Sequence, residues 1–156
     1  MERIDKDTYY LNIAREVAKR STCLRKHYGA VIVNNDAIVS TGYNNPPRKE
    51  PHCTVCTKIK SNKDELEFEH CPSVHAEQNA LLECARKDAI GGTLYLAGWI
   101  AHDGDPATTE DEENMNVYPC EICLRLIKNA GIERVVTNRG IIYTRDENGV
   151  LIRVGV

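Results

Sequence analysis

Two short segments constrain this chain more than any other feature. One is His75-Ala-Glu77, the other Pro119-Cys120-Glu-Ile-Cys123. Proline is favoured in the first turn of a helix, so Pro119 marks a helix start. Cysteines three apart at that start share one face. The positive end of the helix lowers their thiol pKa and favours the thiolates that a metal needs. His75 also stands at the beginning of an expected helix. A lone histidine there is more often a cap or a surface residue. Its weight comes from Glu77, two residues on, and from the cysteine pair. Any fold for this chain has to bring the two helix starts together.

One His and two Cys make three protein ligands. Tetrahedral zinc then keeps a fourth position for water, as a catalytic site requires and a closed structural site does not. Zinc makes that water a nucleophile near neutral pH. A carboxylate close to the metal but not bound to it can shuttle the proton, and Glu77 is suited to that role. As a first-turn acid Glu77 would also stabilise a helix dipole, which accounts for the residue but not for the whole set.

The rest of the chain reads as strands alternating with helices. Asp7 is expected to cap a helix running to about Lys19, with Leu11, Ala14, Val17 and Ala18 on one face. Gly29-Ala-Val-Ile-Val33 and Ala37-Ile-Val-Ser-Thr41 read as strands joined by the turn residues Asn34-Asn-Asp36. From Gly42 to Pro72 the chain is polar and rich in Pro, Cys and Lys. A helix is expected from about Val74 to Arg86, with Ala76, Ala80, Leu81 and Cys84 inward, and Gly91-Gly92 breaks it. Thr93 to Ala97 is a strand. The helix opened by Pro119 ends at Asn129-Ala-Gly131, and Ile132 to Thr137 is a strand. Ile141 to Arg145 and Val150 to Val154 form a hairpin across Asp146-Glu-Asn148-Gly149. This order predicts one α/β domain over residues 1–156, with helices covering a sheet.

Charge and composition narrow the partners. The chain has 20 basic and 23 acidic side chains and a formal charge of −3, so it lacks the basic excess of a nucleic-acid binder. With seven Tyr, one Phe and one Trp it is poor in the aromatics on which single strands stack. Nucleic acid is therefore an unlikely partner. No apolar run is long enough for a bilayer, and the charged start Met1-Glu-Arg-Ile-Asp5 does not resemble a signal peptide. A cytoplasmic, membrane-free protein is the expectation. Seven cysteines is a high count. In a reducing compartment, paired cysteines beside histidines point to metal before disulfide.

A His-x-Glu followed by Pro-Cys-x-x-Cys is the recognised mark of zinc nucleobase deaminases. On these residues the chain resembles the cytidine and deoxycytidylate deaminase superfamily, from about residue 8 to residue 137. Ser21-Thr-Cys23-Leu-Arg25 leading into Gly29 to Val33, Thr41-Gly-Tyr-Asn44, and His52-Cys53 are similar to its deoxycytidylate (dCMP) branch. The resemblance implies a three-layer α/β/α cytidine-deaminase-like fold whose central mixed sheet has about five strands. It implies hydrolysis of a small-molecule nucleotide, dCMP and water giving dUMP and ammonia. Activated water attacks C4, and Glu77 moves protons to N3 and the leaving amine. By the same resemblance His75, Cys120 and Cys123 hold the catalytic zinc. Backbone groups beside Ala76 and Cys120 orient the ring, Asn44 contacts the sugar, and Arg25 helps hold the phosphate. Asn44 reads equally as a turn residue before Pro46-Pro47.

The resemblance also implies a second, structural zinc. Cys23, Cys53, Cys56 and Cys71 make a tetrahedral set, with His52 or His70 as a replacement, against an unliganded loop with free thiols. Cys84 is left over as a structural residue. A homo-oligomer is expected. Two features depart from the branch. An acidic insertion over 102–116, carrying Asp103, Asp105, Glu110, Asp111, Glu112 and Glu113, precedes the Pro119 helix. If it lies over the site it would disfavour a phosphate. The terminal hairpin is also unlike the usual end. Alternatives therefore remain: deamination of guanine, a nucleoside or a modified cytosine nucleotide, or a non-catalytic zinc-stabilised interaction module.

Overall fold

In the computed structural model of the chain, residues 1–56, 71–101 and 116–155 are described. Helix α1 (Lys6–Ala18) leads into strands β1 (Lys26–Asn34) and β2 (Ala37–Tyr43). Helices α2 (Ala76–Leu82) and α3 (Arg86–Ala89) precede β3 (Thr93–Ile100). Helix α4 (Glu121–Ala130) is followed by β4 (Arg134–Thr137), β5 (Gly140–Arg145) and β6 (Leu151–Arg153). The strands form one six-stranded sheet in the order β2-β1-β3-β4-β5-β6. Among the described strands only β3 and β4 pair in parallel; α4 lies in the crossover between them. The sheet thus has one strand more than expected, because the terminal hairpin joins it through β5.

Alternation within the strands builds the three layers. Val31, Val33, Tyr95, Ala97 and Val136 pack against Tyr10, Leu11 and Ala14 of α1. Their neighbours Ala30, Ile32, Leu94, Leu96 and Val135 pack on the other side with Ala76 and Ala80 of α2 and Ile127 of α4. Both faces are covered, so these strands are apolar at successive positions. The β1–β2 turn has Asn35 at φ 49° and Asp36 at φ 58°, the pair of left-handed residues a two-residue hairpin requires.

Two expectations are corrected. Asp5, not Asp7, caps α1: its carboxylate accepts from the Thr8 amide at 2.8 Å. Asp7 reaches across to the sheet instead, accepting from the Tyr95 hydroxyl at 2.7 Å and from Arg134 Nη2 at 3.2 Å. The helix expected from Val74 to Arg86 is split, with Ala85 extended at ψ 140° between α2 and α3. Asn34 at the end of β1 donates to the carbonyls of Asp88 and Ile90, which ties the α3 segment to that end of the strand.

Helix α2 is seated on β2 by two side-chain hydrogen bonds. Ser40 Oγ on β2 donates to Ala80 O at 2.8 Å, and Asn79 Nδ2 donates to Tyr43 O at 2.8 Å. Between them lies Gly42, where a Cβ would fall 2.3 Å from Ala80 N and 2.4 Å from Ala76 O. Only a residue without a side chain lets the helix backbone come this close. Gly42→Ala should therefore lift α2 from the sheet at a cost of about 2 kcal/mol, lowering the melting temperature by roughly 4–8 °C. Zinc affinity should fall with it. Thermal denaturation and zinc titration of the variant measure both, and unchanged values would show that the close approach is dispensable.

Candidate active site

The chain enters α2 through a short bridge. Val74 N donates to Asn45 O at 2.8 Å, and Asn45 N donates to Val74 O at 3.1 Å. His75 follows as the N-cap of α2, extended at ψ 155°, with its own amide bonded to Gln78 Oε1 at 2.8 Å. Cys120 is the N-cap of α4 and its sulfur accepts from the Cys123 amide at 3.4 Å. The two helix starts face each other. His75 Nδ1 lies 3.5 Å from Cys120 Sγ and 3.3 Å from Cys123 Sγ. Among the described residues these three form the cluster whose ligand atoms all lie within 4.8 Å of one another.

The donor set fits zinc. Ordinary Zn–N and Zn–S lengths in a tetrahedron place N and S about 3.6 Å apart, close to both observed separations. Electrostatics agrees. Cys123 is fully buried, and burial, the Glu77 carboxylate and Cys120 all push its thiol up. An anionic sulfur there needs a cation beside it. Glu77 is only 5 % exposed. Burial raises it above the usual carboxylate range, while hydrogen bonds from its own amide and from Cys123 pull the other way. It stands next to the donor cluster but outside it.

A cavity of about 380 Å³ opens over the cluster. His75, Glu77, Cys120, Asn44 and Arg25 all line it, so the structure brings these five expected residues to one cavity, while Cys123 and Ala76 do not line it. Ala76 is fully buried at the first position of α2. Asn44 is buried at the end of β2 rather than in a loose turn. Its Oδ1 accepts from Tyr28 N at 2.8 Å and its Nδ2 donates to Lys26 O at 2.8 Å. That leaves one amide hydrogen for another partner. Lys26, Tyr28, Ser73 and Tyr118 line the same cavity and were not singled out from sequence. The signal was available for two of them: Lys26 and Tyr28 share the face of β1 that carries Ala30 and Ile32.

The other cysteines gather beside it. Cys23, Cys53, Cys56 and Cys71 line a small cavity of about 30 Å³ with Thr22, Leu24, Pro46, Pro72 and Ser73. Burial, then the neighbouring Cys23, Cys71 and Cys56, push the Cys53 thiol up. Their ligand atoms do not reach the mutual distances of the first cluster. His52 is exposed and does not line this cavity; its Nδ1 lies 2.8 Å from the Oγ1 of Thr22, which does. His70 and the acidic residues from Asp103 to Glu113 lie outside the described residues. Cys84 is half-buried against the core.

Among the described residues the cluster has three protein donors, one fewer than a closed structural metal site uses. Fold and site together therefore define a hydrolytic site of the open zinc type, carried on a sheet covered on both faces. A family model, that of the cytidine and deoxycytidylate deaminase zinc-binding region, matches residues 4–139, and the chain belongs to that family. It is 39 % identical over 142 residues to the deoxycytidylate deaminase of Mycobacterium phage D29, covering 87 % of this chain and 96 % of that protein. It is 32 % identical over 135 residues to the deoxycytidylate deaminase of Schizosaccharomyces pombe, covering 83 % of this chain but 36 % of that longer protein. Its fold is similar to the crystal structure of dCMP deaminase from the cyanophage S-TIM5 in apo form. The TM-score is 0.59 at 22 % identity, over 87 % of this chain and 84 % of that one. Among the described residues no helix is long and apolar enough to cross a membrane.

Cys123→Ala should remove zinc from the cluster while α1 and its face of the sheet stay folded. Metal analysis of the purified variant, beside its melting curve, checks this. Retention of the full zinc content would exclude Cys123 as a ligand.

Proposed function

We propose that the chain converts dCMP and water to dUMP and ammonia. One observation carries the reading: a single cavity joins Glu77, His75 and Cys120 to two cations, Arg25 and Lys26. The carboxylate and donor cluster suit hydrolysis of an exocyclic amine. The cations suit a substrate that ends in a phosphate. The similarity to the phage and yeast enzymes supports the same substrate.

His75, Cys120 and Cys123 would hold the zinc, which would supply a water acidified enough to react near neutral pH. The chain's residues do the rest. Glu77 takes the proton that water releases on adding to C4. It delivers that proton to N3 and then carries the remaining proton of the added water from the C4 hydroxyl to the amine; the C4–N bond breaks, C4 becomes a carbonyl, and ammonia leaves. Asn44, fixed by two backbone bonds, offers its remaining N–H to the sugar. The amides beside Ala76 and Cys120 orient the ring. Arg25 takes the phosphate.

Cys23, Cys53, Cys56 and Cys71 belong to the same proposal as the ligands of a second, structural zinc. Their convergence on one small cavity supports it. Four thiolates at that cavity would tie the Ser21–Arg25 segment to the polar stretch after β2.

Three experiments test these assignments. Glu77→Gln should keep its zinc and lose about 10²–10⁴-fold in kcat, measured as ammonia release from dCMP. Ammonia release should also be screened over CMP, cytidine and guanine; reaction of one of these in place of dCMP would move the substrate but not the chemistry. Metal analysis should give two zincs per wild-type chain and one per Cys53→Ala chain. One zinc in both would remove the second site.

A further inference from the structure

Strand β1 presents alternate residues to the cavity side of the sheet. Ala30 and Ile32 lie in the core with Ala76 and Ala80 of α2. Tyr28 comes two steps back on that face and Lys26 two more, where the core gives way to the cavity. Tyr28 stands directly opposite Gly98 on β3. A Cβ on Gly98 would fall 2.5 Å from Tyr28 Cδ1 and 2.8 Å from Cε1, and 2.8 Å from the backbone carbonyl of His27. The phenol ring therefore occupies the space that any other residue at position 98 would fill. It is a flat ring laid on bare backbone.

Tyr28 is also held from behind. Asn44 accepts its amide at 2.8 Å, and the Asn44 amide donates to Tyr28 O at 3.3 Å. The ionisable groups that act on its phenol are Glu77, Arg25, Tyr118 and Cys23, and all four line the same cavity. Burial first, and then Glu77, push the phenol above its ordinary value, so it stays a neutral ring with an O–H. None of the proton transfers assigned above uses it.

We propose that Tyr28 is the specificity-determining residue of this site: its ring, seated in the space Gly98 leaves, is the surface against which the substrate's ring lies, and Gly98 sets how deep that surface sits. The assignment rests on the nucleobase-deaminase reading but not on dCMP in particular. With Tyr28 in place the surface that the base meets stands away from Gly98, at a depth that favours a one-ring base. Removing the phenol deepens the cavity toward Gly98 and opens room for a two-ring base. Adding a methyl group at 98 pushes the phenol outward and closes room for both.

The test is a ratio of dissociation constants, dCMP against dGMP, measured by calorimetry on zinc-loaded protein. The Glu77→Gln background keeps the rings intact. Tyr28→Val should weaken dCMP about tenfold, the order of a lost base–aromatic stack. It should leave dGMP no weaker, so the ratio moves about tenfold toward the purine. Tyr28→Phe should leave the ratio unchanged. Gly98→Ala should weaken both rings, the purine more. A merely structural role would weaken both rings alike and leave the ratio fixed. A fixed ratio in Tyr28→Val, with zinc content and melting temperature as in the parent, would overturn the assignment. Should Tyr28→Val not fold, the Gly98→Ala ratio decides by the same rule. Wild-type turnover of dCMP is a separate measurement. Its failure beside a shifted binding ratio would remove dCMP as substrate and keep Tyr28. Binding of neither ring to the parent protein would remove Tyr28.

Discussion

The contact on which the rest of this structure depends is the seat of α2 on β2. The Ser40–Ala80 and Asn79–Tyr43 hydrogen bonds fix the helix along the strand, and Gly42 lets the two backbones meet. That seat places His75 and Glu77, because both sit in the first turn. The opposing start is placed differently. Helix α4 lies in the crossover between the parallel strands β3 and β4, and it is anchored by the fully buried Ile127. Two helix N-termini therefore point at one spot, and both dipoles favour negative charge there. The sheet has no part in the donor set, yet it determines where each donor stands.

That focusing explains an arrangement that would otherwise be costly. A buried thiol and a buried carboxylate side by side are each pushed toward the neutral form. A divalent cation reverses the preference for both, since opposite charge in a site of low polarity is worth more than in water. At the proposed zinc site Glu77 would gain from being near the metal without binding it. A fourth protein ligand would close the site, and a carboxylate further away could not reach a substrate proton.

How much of this was legible in the sequence depended on how local the cause was. The donor cluster was legible because its cause is local spacing at two helix starts: one residue between His75 and Glu77, two between Cys120 and Cys123. The β1–β2 hairpin was legible for the same reason, through Asn35 and Asp36. The misassigned cap was not. Asp5 and Asp7 are both sound capping residues, and the choice is made by Tyr95 and Arg134, which take Asp7 from the far side of the chain. The α3 segment after the break is likewise tied down by Asn34, distant in sequence. Lys26, Tyr28 and Gly98 were missed because none was marked by a motif, and Lys26 and Gly98 are weak strand formers. They become strand through register, each supplied with a partner by β1–β3 pairing.

The two cavities also share a wall. Cys23, Cys56 and Cys71 line both the small cysteine cavity and the larger one over His75 and Glu77. Cys23 is held in its own turn, with its amide on Ser21 Oγ at 3.2 Å and its carbonyl 2.7 Å from His27 Nε2. Arg25 lies two residues on and lines the larger cavity. Whatever orders the cysteines therefore orders the cation proposed for the phosphate, through two residues of backbone. The polar stretch after β2 is then not an appendage to the sheet. Its cysteines form part of the site's wall, and they stand where that wall must be stiff if Tyr28 and Asn44 are to present a fixed shape.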